Sequence, residues 1–347
     1  MSKRAFITGI TGQDAAYLAK LLLERGYEVY GAYRRSASVN LWRLHELRLD
    51  GKIQLVPMDL LELTNIMRTI QKIAPDEIYN LAAQSFVGIS FDQLIYTTNV
   101  NAVGVAYLLE SVRTLRPEAR FYQASTSEMF GKVREVPQNE ETPFHPRSPY
   151  AVAKLYGHWI TVNYREAHGI HACSGILFNH ESPLRGREFV TRKITASLAK
   201  IKYGQQDVLE LGNLDAKRDW GFAGDYVKGM WLMLQQPQAD DYVLATGETH
   251  SVRQFVEKAG NCLGFRIEWE GEGMEARGID RKSGKVIVRV NPMFYRPADV
   301  DFLLGDASKA KERLGWEPTV RFDDLVNMMV KADMDRAARG ELAALNF

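Results

Sequence analysis

Two residues of the chain, Tyr150 and Lys154, have the types and the spacing for acid–base chemistry on an alcohol. Side chains four residues apart on a helix project from the same face, so a helix here would bring the phenol and the ammonium together. A nearby cation favours the phenolate, and the spacing therefore predicts that Lys154 lowers the tyrosine pKa from its usual value of about 10. Such a tyrosine could take a proton from a hydroxyl group near neutral pH.

Thr126 and Glu128 follow an apolar run, residues 120–124, that is typical of a buried strand. The Thr126 hydroxyl could hydrogen-bond the same substrate oxygen as Tyr150, and the Glu128 carboxylate adds a second acid–base group. One such group supports the oxidation of an alcohol, whereas two also allow proton transfer at the neighbouring carbon. The Tyr-x-x-x-Lys spacing alone is weak evidence, because solvated pairs with this spacing are common, and the N-terminal segment is what makes it informative.

The chain opens with a pattern of strand, glycine turn and helix. Residues 4–8 form a short apolar run, and residues 16–24 carry apolar side chains at helical spacing. Between them, glycines permit a tight turn and let backbone N–H groups approach a diphosphate, whose charge the helix N-terminus favours. An ordinary turn between strand and helix is the alternative. The pattern predicts nucleotide binding by the turn residues Gly9, Thr11, Gly12, Gln13 and Asp14.

The next strand-like run ends in two arginines, Arg34 and Arg35. An NAD site usually has an acidic residue here, which accepts a hydrogen bond from the ribose 2′-hydroxyl. Two arginines suit a 2′-phosphate instead. The pair therefore predicts NADP as the cofactor, with a solvated basic turn as the alternative.

Strand-like runs alternate with helical stretches through the first half of the chain. The runs 53–58 and 77–81 are separated by the helical stretch 63–73, and a further helical stretch covers 101–115. This alternation predicts an α/β fold, a Rossmann-type doubly wound parallel sheet with right-handed crossovers. Ligands of such sheets bind at the carboxyl ends of the strands. The residues that we expect around one crevice there are Asp59, Ala82, Ala83, Gln84, Ser85, Thr126 and Glu128.

We expect two domains. Residues 1–179 would form the NADP-binding Rossmann domain, and residues 180–347 a smaller, mainly substrate-binding domain with some segments that return to the first. The second half is less regular in sequence. Its patterns predict a polar loop at 178–185, an exposed hairpin or loop at 270–285, and helices at 189–203, 308–314 and 322–337.

Composition excludes several classes of protein. The 347 residues carry a formal net charge of +1, so no general attraction to nucleic acid or to a membrane surface is expected. No apolar run approaches the ~20 residues of a transmembrane helix, and the first residues pass directly into a strand rather than a signal peptide. Cys173 and Cys262 are isolated, which fits a reducing cytoplasm and provides no metal site. We therefore expect a cytoplasmic protein without a metal.

Motifs along nearly the whole chain resemble those of the GDP-mannose 4,6-dehydratase family, which belongs to the extended short-chain dehydrogenases/reductases. Together they are specific well beyond the superfamily. The motifs are residues 9–14, 80–87, 123–128, 146–150, 177–183, 217–220 and 296–301. The resemblance implies conversion of GDP-D-mannose to GDP-4-keto-6-deoxy-D-mannose and water, by internal hydride transfer through NADP.

The resemblance also implies roles for individual residues. The catalytic set would be Thr126, Glu128, Tyr150 and Lys154. NADP would contact the turn 9–14 and Arg34, Arg35, Asp59, Leu60, Leu81, Ala82, Ala83, Gln84, Ser85, Tyr96, Lys154, His180 and Arg185. The GDP-sugar would contact Ser85, Asn179, Lys193, Arg218, Arg296 and Asp299. Arginines agree with this chemistry, because a diphosphate is well bound by fixed cationic groups.

The sequence departs from the family pattern at three positions. Ala15 replaces the usual glycine, His145 replaces a tyrosine, and Asp299 replaces a glutamate. These departures leave open a related substrate, such as a GDP-heptose with a mannose-like ring. A reductase of the 4-keto product or an epimerase is a further alternative, against which Glu128 argues, because neither reaction needs a second carboxylate. A non-enzymatic nucleotide-binding protein is the last alternative, and the intact Thr/Tyr/Lys set argues against it.

The resemblance further implies a homotetramer built from dimers. The basic loop 34–40 would reach a neighbouring subunit, and the dimers would pair through the helical stretches 101–115 and 150–168. An isologous pairing of these helices would use apolar positions beyond those that the core needs. The positions expected there are Val105, Leu108, Leu109, Trp159 and Val162.

We expect Arg35→Ala to weaken the binding of NADP far more than that of NAD. A charged hydrogen bond to the 2′-phosphate contributes roughly 1.5–3 kcal/mol, and NAD lacks this group. Calorimetric titration of the purified variant with each cofactor measures the two dissociation constants. An equal loss of affinity for both cofactors would show that the arginine has a structural role only.

Overall fold

A computed structural model describes residues 2–38, 40–295 and 302–344 of the chain. Arg296 and Asp299, which the resemblance assigns to the GDP-sugar, lie outside the described residues. The strands within the described residues are β1 Arg4–Thr8, β2 Glu28–Tyr33, β3 Gln54–Pro57, β4 Glu77–Asn80, β5 Arg120–Thr126, β6 Ala172–Leu177, β7 Asn179–Glu181, β8 Leu209–Leu211, β9 Lys217–Arg218, β10 Trp220–Phe222, β11 Asp241–Leu244, β12 His250–Ser251, β13 Ile267–Glu270, β14 Arg277–Asp280 and β15 Lys285–Val290. The helices are α1 Gln13–Glu24, α2 Trp42–Glu46, α3 Leu63–Ile73, α4 Leu94–Thr98, α5 Gly104–Leu115, α6 Pro149–His168, α7 Val190–Lys202, α8 Ala223–Gln235, α9 Val252–Cys262, α10 Ser308–Leu314, α11 Phe322–Ala338 and α12 Glu341–Ala344.

The central feature is a parallel sheet of seven strands within the described residues. Its order is β3-β2-β1-β4-β5-β6-β11, and each neighbouring pair is parallel. The strand order reverses between β1 and β4, which is the position where ligands bind in doubly wound sheets. The Rossmann-type fold expected from the sequence is confirmed. The edge strand β11 comes from the second half of the chain, beside β6.

Both faces of this sheet are covered by helices, which explains the apolar sequence of its strands. In β1, Phe6 packs with α3 and α5, whereas Ala5 and Ile7 pack with α1 and α8 on the other face. Successive strand residues point to opposite faces, so a strand buried on both sides is apolar throughout. Each large side chain buried in this way contributes about 1.5–3 kcal/mol of stability.

The turn between β1 and α1 depends on a glycine. Gly9 has φ +69°, and a Cβ atom there would lie 2.8 Å from Ala82 Cα. A side chain would therefore be strained by the backbone conformation and would also clash with the end of β4. This close approach keeps the turn and the carboxyl end of β4 at one crevice.

The second half of the chain builds a core of its own. Strands β13, β14, β15 and β8 form a sheet, and α7, α9 and α11 pack with it around side chains such as Leu198, Phe255 and Leu325. The three helices predicted here are confirmed to within about one residue at each end. The segment predicted as an exposed hairpin or loop contains β14, which pairs with both β13 and β15.

The prediction of a polar loop at 178–185 is wrong for its first part. Asn179–Glu181 forms β7, which pairs in parallel with β10, and His180 and Glu181 are buried. The sequence did not predict this strand because its polar residues find buried partners far along the chain, which local patterns cannot show.

The interpretation of the apolar positions on α5 and α6 needs a similar correction. Val105, Leu108 and Leu109 belong to the core beneath the sheet, and Val162 is also buried. Trp159, in contrast, is 54% exposed. The core therefore uses four of the five positions that we expected to exceed its needs.

No helix in the described part of the chain is long and apolar enough to cross a membrane.

Candidate active site

Two clefts lie beside each other at the carboxyl edge of the sheet. The smaller cleft, of about 300 Å³, is bounded by the Gly9 turn and the ends of β2, β3 and β4. It brings together a large part of the residues that the sequence assigned to the cofactor. These are Gly9, Thr11, Gly12, Arg34, Asp59, Leu60, Leu81, Ala82, Ala83, Ser85 and Tyr96.

The larger cleft, of about 550 Å³, lies between the sheet and the second half of the chain. It is lined by residues that the sequence assigned to chemistry and to the sugar nucleotide, and also by Arg185, which the sequence assigned to the cofactor. The expected residues among its lining are Glu128, Asn179, Arg185, Lys193 and Arg218. Its carboxylate and cationic groups therefore face one volume, as acid–base chemistry on an anionic substrate requires.

Tyr150 is held by the first turn of α6. Ser148 caps this helix by accepting a hydrogen bond from Ala151 N at 3.1 Å, and Pro149 occupies the first helical position. Lys154, one turn later, donates from Nζ to the carbonyl of Ala124 at 2.8 Å. The helix is therefore fastened to the end of β5, the strand that carries the other two catalytic candidates.

Thr126 is the last residue of β5, and Glu128 follows in a short 3₁₀ turn. The Glu128 backbone N–H donates to Thr126 Oγ1 at 3.2 Å, which fixes the two residues relative to each other. The Thr126 hydroxyl also lies on the side of Tyr150, where it favours the ionised form of the phenol and so lowers its pKa. The four residues that the sequence singled out thus lie at one place, and Glu128 among them lines the larger cleft.

The pKa of Tyr150 differs from the expectation based on spacing. Burial raises the pKa of Tyr150 above its ordinary value, with a smaller rise from the Glu128 charge, while the Thr126 hydrogen bond lowers it only partly. Lys154 Nζ lies 5.9 Å from the tyrosine ring centroid and is directed to Ala124, and burial lowers the Lys154 pKa to about 8. The helical spacing alone therefore does not lower the Tyr150 pKa, contrary to the expectation from the sequence.

Three residues expected at the cofactor form a buried network instead of lining the smaller cleft. Asp14 accepts a hydrogen bond from His180 Nε2 at 2.9 Å, and His180 Nδ1 lies 2.7 Å from Phe178 O. Gln13 donates to His180 O at 3.1 Å and accepts from Ser182 Oγ at 2.6 Å. The network joins the start of α1 to β7 and so connects the glycine turn with the second half of the chain.

The Asp14–His180 pair is tightly coupled. Burial opposes ionisation of Asp14, but the charge and hydrogen bond of His180 outweigh it and bring the Asp14 pKa to about 2. Burial likewise opposes protonation of His180, but Asp14 outweighs it and raises the His180 pKa above 6.5. The His180 ring also stacks on Tyr226, with the ring centroids 4.7 Å apart.

Arg35 and Gln84 are sequence neighbours of residues that line the smaller cleft, such as Arg34. Arg34 donates a hydrogen bond to Tyr96 and lies 5.8 Å from its ring centroid. Arg35 is exposed one residue further on. Gln84 is turned into the protein, where it donates to Thr97 Oγ1 at 3.1 Å.

The structure adds residues that the sequence did not assign. The larger cleft has aromatic walls, among them Phe189 and Phe294, and the Lys193 ammonium lies 3.2 Å from the Phe294 ring centroid. Burial lowers the pKa of Lys193 to about 8. Further unassigned lining residues are Phe86, Glu181, Glu188, Trp220 and Tyr295. Three of these, Phe86, Glu181 and Trp220, lie within the motifs that resemble the family. Their position in those motifs could have indicated from the sequence that they line the site.

The smaller cleft fits a dinucleotide on structural grounds. Its floor is the Gly9 turn, where a Cβ atom would fill the space beside Ala82. Backbone approach of this kind suits a diphosphate, and the basic end at Arg34 suits a further phosphate group. No cluster of three or more metal-ligating side chains occurs in the part of the chain that the structure describes.

Comparisons with known proteins identify the family that this chain resembles. The family model described as GDP-mannose 4,6 dehydratase matches residues 6–329. The chain is 55% identical to the human GDP-mannose 4,6 dehydratase, over 95% of this chain and 91% of that protein. It is also 55% identical to the GDP-mannose 4,6-dehydratase of Sinorhizobium fredii, over 96% of this chain and 97% of that protein.

Solved structures with low sequence identity share the fold. A dTDP-glucose 4,6-dehydratase of Bacillus anthracis in complex with NAD matches with a TM-score of 0.79 and 20% identity, over 97% of this chain and 98% of that chain. The structure of RMD from Pseudomonas aeruginosa with NADPH matches with a TM-score of 0.74 and 21% identity, over 96% of this chain and 100% of that chain. At these identities the likeness concerns the fold alone.

We expect His180 to titrate above pH 6.5 in the cofactor-free protein and below it in Asp14→Asn. The variant removes the charge that raises the His180 pKa and leaves the burial that lowers it. Histidine ring resonances followed by NMR against pH measure the shift, and the absence of one resonance in His180→Gln assigns it. An unchanged His180 pKa in Asp14→Asn would contradict the coupling.

The same pair sets a pH window for stability. Because the Asp14 pKa is lowered and the His180 pKa is raised on folding, the full contribution is present between the ordinary values of 3.8 and 6.5. It is lost as the pH falls toward 2 and as the pH rises through the raised pKa of His180. Denaturant unfolding of wild type and Asp14→Asn across this range measures the difference.

Proposed function

The chain belongs to the GDP-mannose 4,6-dehydratase family, and we propose that the smaller cleft binds NADP, the larger cleft binds GDP-mannose, and four side chains between them carry out the reaction. The protein is an NADP-dependent hydro-lyase that converts GDP-D-mannose to GDP-4-keto-6-deoxy-D-mannose and water. The observation that carries the assignment of residues is Glu128 beside Thr126 and Tyr150, because the reaction needs two acid–base groups. The proposed catalytic set is Thr126, Glu128, Tyr150 and Lys154.

Tyr150 would act first as the base for the C4 hydroxyl. It takes the hydroxyl proton while Thr126 hydrogen-bonds the same oxygen, and the carbon is oxidised to a ketone. Bound NADP would supply the redox chemistry, by taking up a hydride from the sugar and giving it back. Lys154 contributes positive charge on the tyrosine side of the site, which opposes the effect of burial on Tyr150.

Glu128 would act second, at the carbon next to the new ketone. The 4-ketone acidifies the C5 proton, which Glu128 takes. Water then leaves C6 with a proton from Glu128, assisted by Thr126. Once the hydride has returned to C6, Tyr150 gives C5 the proton that it took from the C4 hydroxyl, so that both residues end as they began.

The polar and cationic side chains of the larger cleft are proposed to bind the diphosphate and the guanine of GDP-mannose. Lys193 and Arg218 line this cleft with Asn179, and Arg185 lies near enough to Tyr150 to favour its phenolate. Fixed cationic groups in a partly closed cleft suit the two negative phosphate groups of GDP. Arg296 and Asp299 stay predictions from the resemblance. The domain boundary at residue 179 also stays a prediction.

The alternatives are distinguished by the carboxylate and by the balance of the cofactor. A reductase of the 4-keto sugar consumes NADPH in every cycle, whereas the internal reaction leaves NADP unchanged. An epimerase retains the C6 oxygen, whereas the dehydratase loses it as water. A GDP-heptose dehydratase would differ in substrate alone, which a direct comparison of the two sugar nucleotides decides.

We expect Glu128→Gln to reduce turnover by about 10²–10⁴-fold, because the amide cannot take the C5 proton. Incubated with GDP-mannose and NADP⁺, the variant should accumulate bound NADPH and a 4-keto sugar that retains its C6 oxygen. Absorbance at the NADPH band and mass analysis of the sugar measure both. Wild type, with only a trace of NADP⁺, should release water and form the 6-deoxy product.

Glu188→Gln is a matched control, because Glu188 lines the same cleft and is not assigned to proton transfer. It should give the 6-deoxy product without accumulation of NADPH. Normal turnover by Glu128→Gln would refute the assignment of the base. A wild type that leaves GDP-mannose unchanged would refute the proposed substrate.

We further propose a homotetramer in the cytoplasm. Val152, Tyr156 and Trp159 lie on one exposed face of α6, each about half exposed, and Leu94 and Ile95 of the neighbouring α4 are exposed as well. A second copy pairing isologously would cover these apolar side chains. The loop 34–40, of which Val39 lies outside the described residues, would join two dimers.

The proposed cytoplasmic location rests on the two cysteines, which form no disulfide and so fit a reducing compartment.

We expect wild type to run as a tetramer in light scattering, Arg34→Glu/Arg35→Glu as a dimer, and Trp159→Glu as a species smaller than a tetramer. The charged substitutions oppose pairing at the loop and at the α6 face, respectively. Lys20→Glu, a reversal of an exposed charge on α1, is the control and should leave the tetramer intact. A monomeric wild type at micromolar concentration with NADP present would refute both interfaces.

A further inference from the structure

A buried group of charged side chains joins two helices behind the clefts. Asp333 of α11 is 0% exposed, and Arg192 of α7 is 1% exposed. Arg192 Nε donates to both carboxylate oxygens of Asp333, at 2.9 and 2.8 Å. Thr195 Oγ1 donates to the same carboxylate at 2.7 Å, and Arg336 Nη1 donates to it at 3.1 Å. Asp333 thereby fixes the direction in which the Arg192 guanidinium points.

The other end of the Arg192 guanidinium holds a backbone segment between the clefts. Its Nη1 donates to Pro183 O at 2.7 Å and to Arg185 O at 2.9 Å. Residues 183–185 follow β7 and lead toward α7. The orientation of this segment therefore depends on a carboxylate in α11, near the C-terminal end of the described chain.

A second arginine holds the same segment from the side of the cofactor cleft. Arg43 of α2 donates from Nε to Leu184 O at 2.7 Å and from Nη1 to Thr11 O at 3.0 Å. Burial lowers the pKa of Arg43 to about 10. Three consecutive carbonyl groups, those of residues 183–185, thus accept hydrogen bonds from two guanidinium groups, one of which also binds the glycine turn.

The segment 183–185 is connected to both clefts. The Arg185 side chain lines the larger cleft, pairs with Glu181 at 3.0 Å and lies 3.6 Å from the Phe189 ring centroid. Thr11, on the other side, lines the smaller cleft. A displacement of the segment would move the Arg185 side chain in the larger cleft directly. It would also disturb Thr11 in the smaller cleft, because Arg43 binds both Leu184 O and Thr11 O.

Stability alone is a poor explanation for this buried group. Desolvation of buried ions is costly, and replacing such a group by apolar side chains of similar volume is often neutral or stabilising. A charged N–H shared between both oxygens of a buried carboxylate does, however, define a direction in a way that apolar packing does not. Trp42 of α2, with its ring centroid 5.8 Å from the Arg192 guanidinium, provides a further wall that restricts Arg192.

We propose that Asp333 is a positioning residue that acts through Arg192 on the segment 183–185 and so adjusts both ligand clefts together. The proposal rests on the assignment of these clefts to NADP and GDP-mannose. It predicts that a change in α11, remote from the catalytic set in sequence, alters the affinity for both ligands.

The test compares Asp333→Asn with wild type in the full-length protein. The amide keeps the shape of the side chain but cannot accept from Arg192 with both of its terminal atoms. We expect the NADP dissociation constant and the KM for GDP-mannose each to rise about tenfold or more, because small displacements of binding groups have effects of this size. Arg192→Lys should give the same pattern, since it keeps a cation beside Asp333 but cannot hold Pro183 O and Arg185 O in the same way.

Asp225→Asn is the matched control. Asp225 is a buried carboxylate that accepts hydrogen bonds from Thr319 and Val320, away from the segment 183–185. It should lower the denaturation midpoint while the NADP dissociation constant and the KM stay at wild-type values. An equal loss of ligand affinity in Asp225→Asn would overturn the proposal, because the effect would then follow from destabilisation.

Wild-type ligand affinities in folded Asp333→Asn or Arg192→Lys would also overturn the proposal. If Asp333→Asn does not fold, Arg192→Lys decides the question with the same measurements. The proposed function is tested separately, on wild type. A wild type that does not turn over GDP-mannose would refute the assigned reaction. An active wild type beside variants with unchanged NADP dissociation constant and KM would refute the positioning role alone.

Discussion

The close approach of the Gly9 turn to the end of β4 is the constraint on which the site depends. With φ at +69° and no Cβ, the turn lies against Ala82 where the strand order of the sheet reverses. The backbone N–H groups at the start of α1 are thereby directed into the smaller cleft. The ends of β4 and β5 are neighbours in the sheet, so this position also brings Thr126 next to the cofactor cleft. Helix α6, which Lys154 fastens to Ala124 of β5, brings Tyr150 and Lys154 to the same place.

The first half of the fold could be predicted because local patterns agree with the tertiary structure. The run 63–73 has apolar residues at helical spacing and forms α3 with the same bounds, and Phe6 alternates with Ala5 and Ile7 across a sheet covered on both faces. Thr126 and Tyr150 could likewise be predicted, since their residue types, their positions at a strand end and at a helix start, and the resemblance all agree.

The rest of the site could not be predicted, because it depends on partners far apart in the chain. β7 is polar and buried, since His180 binds Asp14 and Glu181 pairs with Arg185. Nothing in the local sequence of Asp333 indicates that it faces Arg192. The pKa of Tyr150 was also misjudged from spacing: Lys154 lies on the correct side, but burial has the larger effect on the phenol and the Lys154 ammonium is directed to Ala124. Helical spacing defines a face and says nothing of desolvation.

The connections around the glycine turn suit an internal oxidation–reduction. Gln13 and Asp14 bind β7 and the residues after it, and Arg43 binds both Thr11 and Leu184, so the cleft proposed for the cofactor is fastened to the segment beside the cleft proposed for the sugar nucleotide. An enzyme that exchanges its cofactor in every cycle would have to loosen such contacts each time. In the dehydratase reaction the hydride leaves C4 and returns to C6 of the same sugar, and the cofactor ends in the state in which it began. A firm connection between the clefts therefore does not slow turnover, and it would hold Tyr150 and Glu128, the proposed acid–base groups, in place through successive proton transfers.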